Sequence, residues 1–121
     1  MSAFDPFWKL DRENLVEAIQ ATPSTLLRGA FSEGLVGYAI TGFAGDQGYL
    51  QRLAVNPGHQ GRGIATALVR DALAWLVRRD ATGASVNTQE HNVRALALYE
   101  RMGFIRVQPG LAVLRYQMTT P

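Results

Sequence analysis

Apolar positions along this chain change period several times, and each change marks an element. Leu15, Val16 and Ile19 fall on one helical stripe. Asp11 is placed as its N-cap, and Leu10 and Leu15 as a hydrophobic staple. Thr22-Pro23 ends the stripe, because a residue before proline avoids helical angles. Residues 25–32 then read as a strand, Glu33-Gly34 as a turn, and residues 35–43 as a second strand. In that strand Val36, Tyr38 and Ile40 share one face and small residues the other. After a glycine-rich turn over 44–48, residues 49–55 form a third strand, stopped by Asn56-Pro57-Gly58. Its Leu53-Ala54-Val55 run does not alternate, which predicts cover on both faces.

The period then changes to that of a helix. Residues 62–79 carry Ile64, Leu68, Val69, Leu73, Trp75 and Leu76 on a broad apolar face, with Arg70, Asp71, Arg78 and Arg79 on the wet one. Residues 84–88 are a short strand. Residues 92–102 are a second helix with Ala95, Leu98, Tyr99 and Met102 on one face and Gly103 as the C′ residue. Final strands cover 104–107 and 112–118 around Gln108-Pro109-Gly110. The order α-β-β-β-α-β-α-β-β predicts a mixed α/β sheet. Residues 49–88 should form a right-handed parallel crossover, and the rest a meander.

Composition narrows the function. The chain has 121 residues, is 47% hydrophobic and 18% charged, and fits one soluble domain. It has no cysteine, so a disulfide framework and a thiolate nucleophile are excluded. No metal site is expected, since His59 and His91 stand alone and far apart. His59 reads as a loop surface residue. Eleven arginines and one lysine give a net charge of only +2, without a basic block that would bind nucleic acid. The first residues do not form a signal peptide, and no apolar run approaches the about 18 residues of a membrane span. The expected compartment is the cytoplasm.

The stretch Gln60-Gly61-Arg62-Gly63-Ile64-Ala65 lies between a strand and the long helix. Glycines at a helix mouth let backbone amides approach a ligand, and the helix N-terminus favours negative charge. The loop therefore reads as a phosphate seat. It lacks the Gly-Lys-Ser/Thr ending of an ATP or GTP loop. Thr66 occupies the third glycine position of a dinucleotide fingerprint, and Asp80 follows a helix rather than a strand. Acyl-CoA is the third ligand class that uses such a loop. Arg62 is open between a phosphate partner and a solvated side chain.

Leu53-Ala54-Val55 followed by Gln60-Gly61-Arg62-Gly63-Ile64-Ala65 resembles motif A of the GNAT acetyltransferases. Asn92, Ala95, Leu98-Tyr99 and Gly103-Phe104 resemble the family's second signature, in the right order and separation. The resemblance covers roughly residues 49 to 107 and implies a mixed GNAT-like sheet with a central strand–loop–helix CoA-binding unit. It implies that the strand before the loop splays from its neighbour, and that backbone groups of Leu53, Ala54 and Val55 bind the pantetheine arm. Amides of Gln60, Gly61, Arg62, Gly63, Ile64 and Ala65 would hold the pyrophosphate. Asn92 would touch the CoA arm. Tyr99 would be the catalytic general acid that protonates the departing thiolate.

The implied activity is N-acetyl transfer from acetyl-CoA to an amine, which is a small molecule, a protein N-terminus or a lysine, by direct attack and without a metal. Two departures leave alternatives open. Many protein N-terminal acetyltransferases have a Glu five residues ahead of the asparagine, where this chain has Asn87; Glu90 is the nearest carboxylate, and a water relay serves equally. The usual first strand is not recognisable in the short front, residues 1–24, which reads as a reduced helical part ahead of the sheet and CoA-binding core at 25–121. Phe4, Phe7 and Trp8 there would cap the sheet or meet another domain or subunit. The chain is thus expected to be a domain of a longer protein, such as one half of a tandem acetyltransferase, or a trimmed member. A non-catalytic acyl-CoA-binding or regulatory domain is the other reading. A homodimer through exchanged final strands is also compatible with the resemblance.

Overall fold

A computed structural model describes residues 20–88, 92–107 and 113–118. The helix read from Asp11, the first-strand question, the aromatic residues Phe4, Phe7 and Trp8, and Glu90 and His91 lie outside the described residues. Within them are strands β1 (Ser24–Phe31), β2 (Leu35–Ala44), β3 (Gln47–Val55), β4 (Gly83–Asn87), β5 (Ile105–Arg106) and β6 (Val113–Gln117), and helices α1 (Ile64–Arg78) and α2 (Val93–Arg101). They build one mixed sheet of order β1-β2-β3-β4-β6-β5. The single parallel pair is β3–β4, joined through α1 as the pattern requires.

The expected meander holds for β1-β2-β3 and fails at the other end. There β6 inserts between β4 and β5. The reason is apolar cover: Leu114 on β6 is completely buried, whereas Ile105 on β5 is 73% exposed. The strand with more to bury takes the inner place, and β5 is left at the edge.

The core lies between the sheet and α1. Val69, Leu73, Trp75 and Leu76 of the helix meet Leu50, Ala84, Val86 and Leu114 of the sheet. Burying one such side chain stabilises the fold by about 1.5–3 kcal/mol. The wet face of α1 behaves as its sequence predicts, with Arg70, Arg78 and Arg79 exposed and Asp71 paired to Arg28 at 2.8 Å.

One irregularity in β3 positions everything that follows. The β2–β3 register runs Thr41↔Leu50 and then Ile40↔Arg52, so Gln51 is an extra residue, a β-bulge. A bulge reverses the alternation of faces. Before it Leu50 packs into the core with α1. Without the reversal Arg52 and Ala54 would turn toward the helix. Instead Arg52 stays exposed, its charge acting on Tyr38 of β2, and Leu53 and Val55 turn to the α1 side. The side-chain oxygen of Gln51 is buried without a hydrogen-bond partner among the described residues.

The same point ends the parallel pairing. β3 and β4 are paired only from Gln47↔Gly83 to Leu50↔Val86. β2 follows β3 through to Val55, so residues 51–55 have a neighbour on one side only among the described residues. The non-alternating Leu53-Ala54-Val55 run is accordingly half-buried, not covered on both faces as its pattern suggested.

Candidate functional site

The free half of β3 ends at Asn56, which is buried and donates its N–H to the Val36 carbonyl at 2.7 Å. Its side-chain oxygen accepts from the N–H of Gly58 at 3.0 Å and starts a short turn, Pro57–His59. The chain then passes through Gly61 at φ 80° and Gly63 at φ 79°. Both angles are left-handed, where a side chain costs roughly 1–2 kcal/mol. Gly63 cannot be helical at that angle, so α1 begins at Ile64 and not at Arg62 as the periodicity suggested.

Glycine also leaves the helix mouth without a side-chain cap. The first intrahelical bond there runs from the Ala67 N–H to the Gly63 carbonyl, 3.0 Å. The amides of Ile64, Ala65 and Thr66 lie ahead of that ladder and face outward. No acidic side chain occupies the first turn of α1. These are the properties of an anion seat.

A cavity of about 550 Å³ joins the two features. One wall is Leu53 and Val55 of β3, the floor is the glycine loop with Ile64, Ala65 and Thr66, and the other wall is α2. The size is that of a small-molecule or cofactor cleft. Asn92 caps α2 by accepting from the Ala95 N–H at 3.2 Å. That bond uses only its Oδ1, and its amide hydrogens have no acceptor among the described residues. Arg94, two residues along, donates to the Gln60 side-chain oxygen across the cavity, and Gln60 Nε2 reaches back to the Val55 carbonyl at 3.4 Å.

Tyr99 sits on the inner face of α2 and is 4% exposed. The end of α2 fixes it. Gly103, at φ 104°, lets the Phe104 N–H return to the Tyr99 carbonyl at 2.9 Å and the Gly103 N–H to the Glu100 carbonyl at 3.1 Å. This is a Schellman cap. It folds the Phe104 ring edge-on against Tyr99, with centroids 5.4 Å apart. Burial pushes the Tyr99 phenol up to about 12, because the phenolate would lose its hydration. The hydroxyl is therefore neutral at physiological pH.

The residues expected from sequence fall into three groups. Leu53, Val55, Gln60, Gly61, Gly63, Ile64, Ala65 and Asn92 surround one cavity. Arg62 is exposed and Ala54 lies on the opposite face of β3; neither side chain lines the cavity, although both belong to the backbone that does. Tyr99 is buried behind the α2 wall. Sequence reasoning missed Arg94 and Arg101. Their spacing of seven, two helical turns, was the available signal. It also misplaced His59, which is half-buried on the cavity wall with Nδ1 buried and without a partner among the described residues. Local sequence reads a turn there, and only the approach of α2 makes that turn a wall. Among the described residues, no group of three His, Asp or Glu could hold a metal, and no helix is long and apolar enough to cross a membrane.

A mixed sheet that opens beside an uncapped, glycine-led helix mouth defines an α/β protein built to take an extended, phosphate-bearing ligand. Comparison with known proteins gives that class its family. The chain belongs to the GNAT acetyltransferase family, whose sequence profile matches residues 2–104. Over 74 residues, 61% of this chain, it is 36% identical to the spore coat polysaccharide biosynthesis protein SpsD of Bacillus subtilis. Over 62 residues, 51% of the chain, it is 40% identical to N-alpha-acetyltransferase 30 of Saccharomyces cerevisiae. These matches span only 26% and 35% of the two relatives' lengths. Among solved structures, the PaiA N-acetyltransferase of Thermoplasma acidophilum, in complex with coenzyme A, superposes with a TM-score of 0.77. That superposition covers 89% of this chain and 72% of PaiA at 18% identity. The ribosomal-protein-S18-alanine N-acetyltransferase of Escherichia coli gives 0.74, over 89% of this chain and 78% of that one, at 20% identity. At such identities the likeness shows the shared fold.

Proposed function

We propose that this chain is an acetyl-CoA-dependent N-acetyltransferase. The observation that carries the reading is the one-sided pairing of residues 51–55 beside the uncapped mouth of α1. An acyl-pantetheine arm is an extended amide chain and can hydrogen-bond a free strand edge as an added strand would. The diphosphate at its far end then reaches the amides of Ile64, Ala65 and Thr66. PaiA, which shares the fold, is in complex with coenzyme A.

On this reading the acetyl group is transferred by direct attack. An acceptor amine attacks the thioester carbonyl, the C–O π pair moves to oxygen, and backbone N–H groups at the opening stabilise the oxyanion. One such donor is worth roughly 2.7–4 kcal/mol. Collapse breaks the C–S bond and expels the CoA thiolate, which takes the Tyr99 proton. Burial keeps that proton on the phenol in the resting protein. The ammonium of the intermediate gives its proton to water. A cytoplasmic location and a single catalytic domain belong to this reading.

The test is a melting series with acetyl-CoA followed by thiol release against peptides, polyamines, amino acids and aminoglycosides. The reading expects stabilisation that grows as RT ln(1 + [L]/Kd) and amine-dependent thiol release. No shift at millimolar acetyl-CoA would reject it. A non-catalytic acyl-CoA-binding domain is the second reading, favoured by Asn87 at the end of β4, a side chain that cannot act as a base. It expects the same thermal shift without thiol release.

A further inference from the structure

One side chain of the α2 wall, Arg94, has no part in the acetyl-transfer chemistry. Arg94 stands at the second residue of α2 and donates to the Gln60 side-chain oxygen on the opposite lip. Gln60 in turn donates to the Val55 carbonyl, at the end of the free edge of β3. The three groups form one hydrogen-bonded chain across the mouth of the cavity.

Two features of this bridge call for a ligand. A cation in the first turn of a helix opposes the dipole, and the first turn of α2 has no acidic residue to offset it. The tether is also an amide. An amide oxygen fixes a guanidinium without neutralising it, whereas a carboxylate would cancel its charge. Among the described residues the ion pairs are Arg28–Asp71 and Arg106–Glu100, and none includes Arg94. The result is an aimed guanidinium on the cavity wall, opposite the glycine loop, with no carboxylate partner among the described residues.

We infer that Arg94 is a donor-specificity residue whose guanidinium grips the diphosphate of the acyl donor from the side opposite the α1 amides, with Gln60 as the positioning residue that aims it. A planar fork suits two phosphate oxygens better than a point charge does. The inference rests on the acyl-CoA reading above.

The experiment is calorimetric titration of the folded wild type, Arg94→Ala, Arg94→Lys, Gln60→Ala and Gln60→Glu with CoA, at several salt concentrations, and with pantetheine. Arg70→Ala, on the exposed face of α1, is the control. Arg94→Ala is expected to weaken CoA by roughly 10–100-fold, the loss of one charge-assisted contact, and to flatten its salt dependence. Arg94→Lys should recover part of the loss. Pantetheine, which carries no phosphate, should not respond. Gln60→Glu should weaken CoA more than Gln60→Ala does, because it both neutralises Arg94 and repels the donor. CoA affinity unchanged in Arg94→Ala, or an equal loss for pantetheine, overturns the role of Arg94. A Gln60→Glu variant no worse than Gln60→Ala overturns the role of Gln60. Failure of the wild type itself to bind CoA sinks the acyl-CoA reading instead.

Discussion

Phe104 holds Tyr99 twice: its ring meets the phenol edge-on at 5.4 Å, and its N–H bonds the Tyr99 carbonyl at 2.9 Å. The glycine between them and the helix end makes both contacts possible. The Leu-Tyr and Gly-Phe pairs of the second signature are thus one physical unit, a helix cap that immobilises a phenol.

Removing only the Tyr99 hydroxyl should separate chemistry from packing. Tyr99→Phe keeps the ring against Phe104 and should fold normally. Its kcat should fall about 10²–10⁴-fold, the usual worth of a general acid, with donor affinity nearly unchanged. Steady-state kinetics with acetyl-CoA checks this, and an unaltered kcat would refute the assignment.

Tyr99 also sets a pH signature. Its folded value, about 12, lies above the ordinary 10, so the folded state holds the proton more tightly. The contribution to stability is full below pH 10 and disappears as pH rises from about 10 to 12. Urea titrations across that range should show a decline that Tyr99→Phe lessens. For the same reason the rate profile should show no basic limb from Tyr99 below about pH 10.

Phe104→Ala should be far more damaging than Tyr99→Phe. The side chain is 2% exposed and also stacks at 5.3 Å on Tyr116. A loss of about 3–5 kcal/mol is expected from the lost burial and the cavity left behind. Chemical denaturation measures it directly.

At Gly63 a methyl group meets no atom within 4 Å, so crowding is not at issue. The φ of 79° is, and Gly63→Ala should cost roughly 1–2 kcal/mol or move the loop. Melting temperature and CoA affinity should fall together. Wild-type values of both would show that the left-handed turn is not required.

Asn92 carries a cap and faces the cavity, and two variants divide those duties. Asn92→Ala removes the cap, at about 0.5–2 kcal/mol, and the amide donor with it. Asn92→Asp keeps the capping oxygen but turns a donor into a negative charge. Stability should survive in the aspartate variant while CoA affinity drops. Equal affinity in Asn92→Asp and wild type would leave Asn92 as a cap alone.

Periods and stop signals located every described strand and both helices to within two residues. The loop from Gln60 to Ala65 was legible because glycine spacing and an uncapped helix start are local properties. The position of β6 was not legible, since its competition with β5 for the inner place depends on what Leu114 covers from a distance. Nor was the wall role of His59 or Arg94, which exists only because α2 closes on the loop.

The sequence alone determined the elements, the glycine-led helix mouth and the family signature, because each depends on neighbours a few residues apart. Only the tertiary structure decided where the sheet opens. Gln51 bulges out of register with β2, reverses the faces of Leu53 and Val55, and coincides with the end of the β3–β4 ladder. That is a contest among three strands for hydrogen bonds and burial, and no local stretch of sequence contains all three.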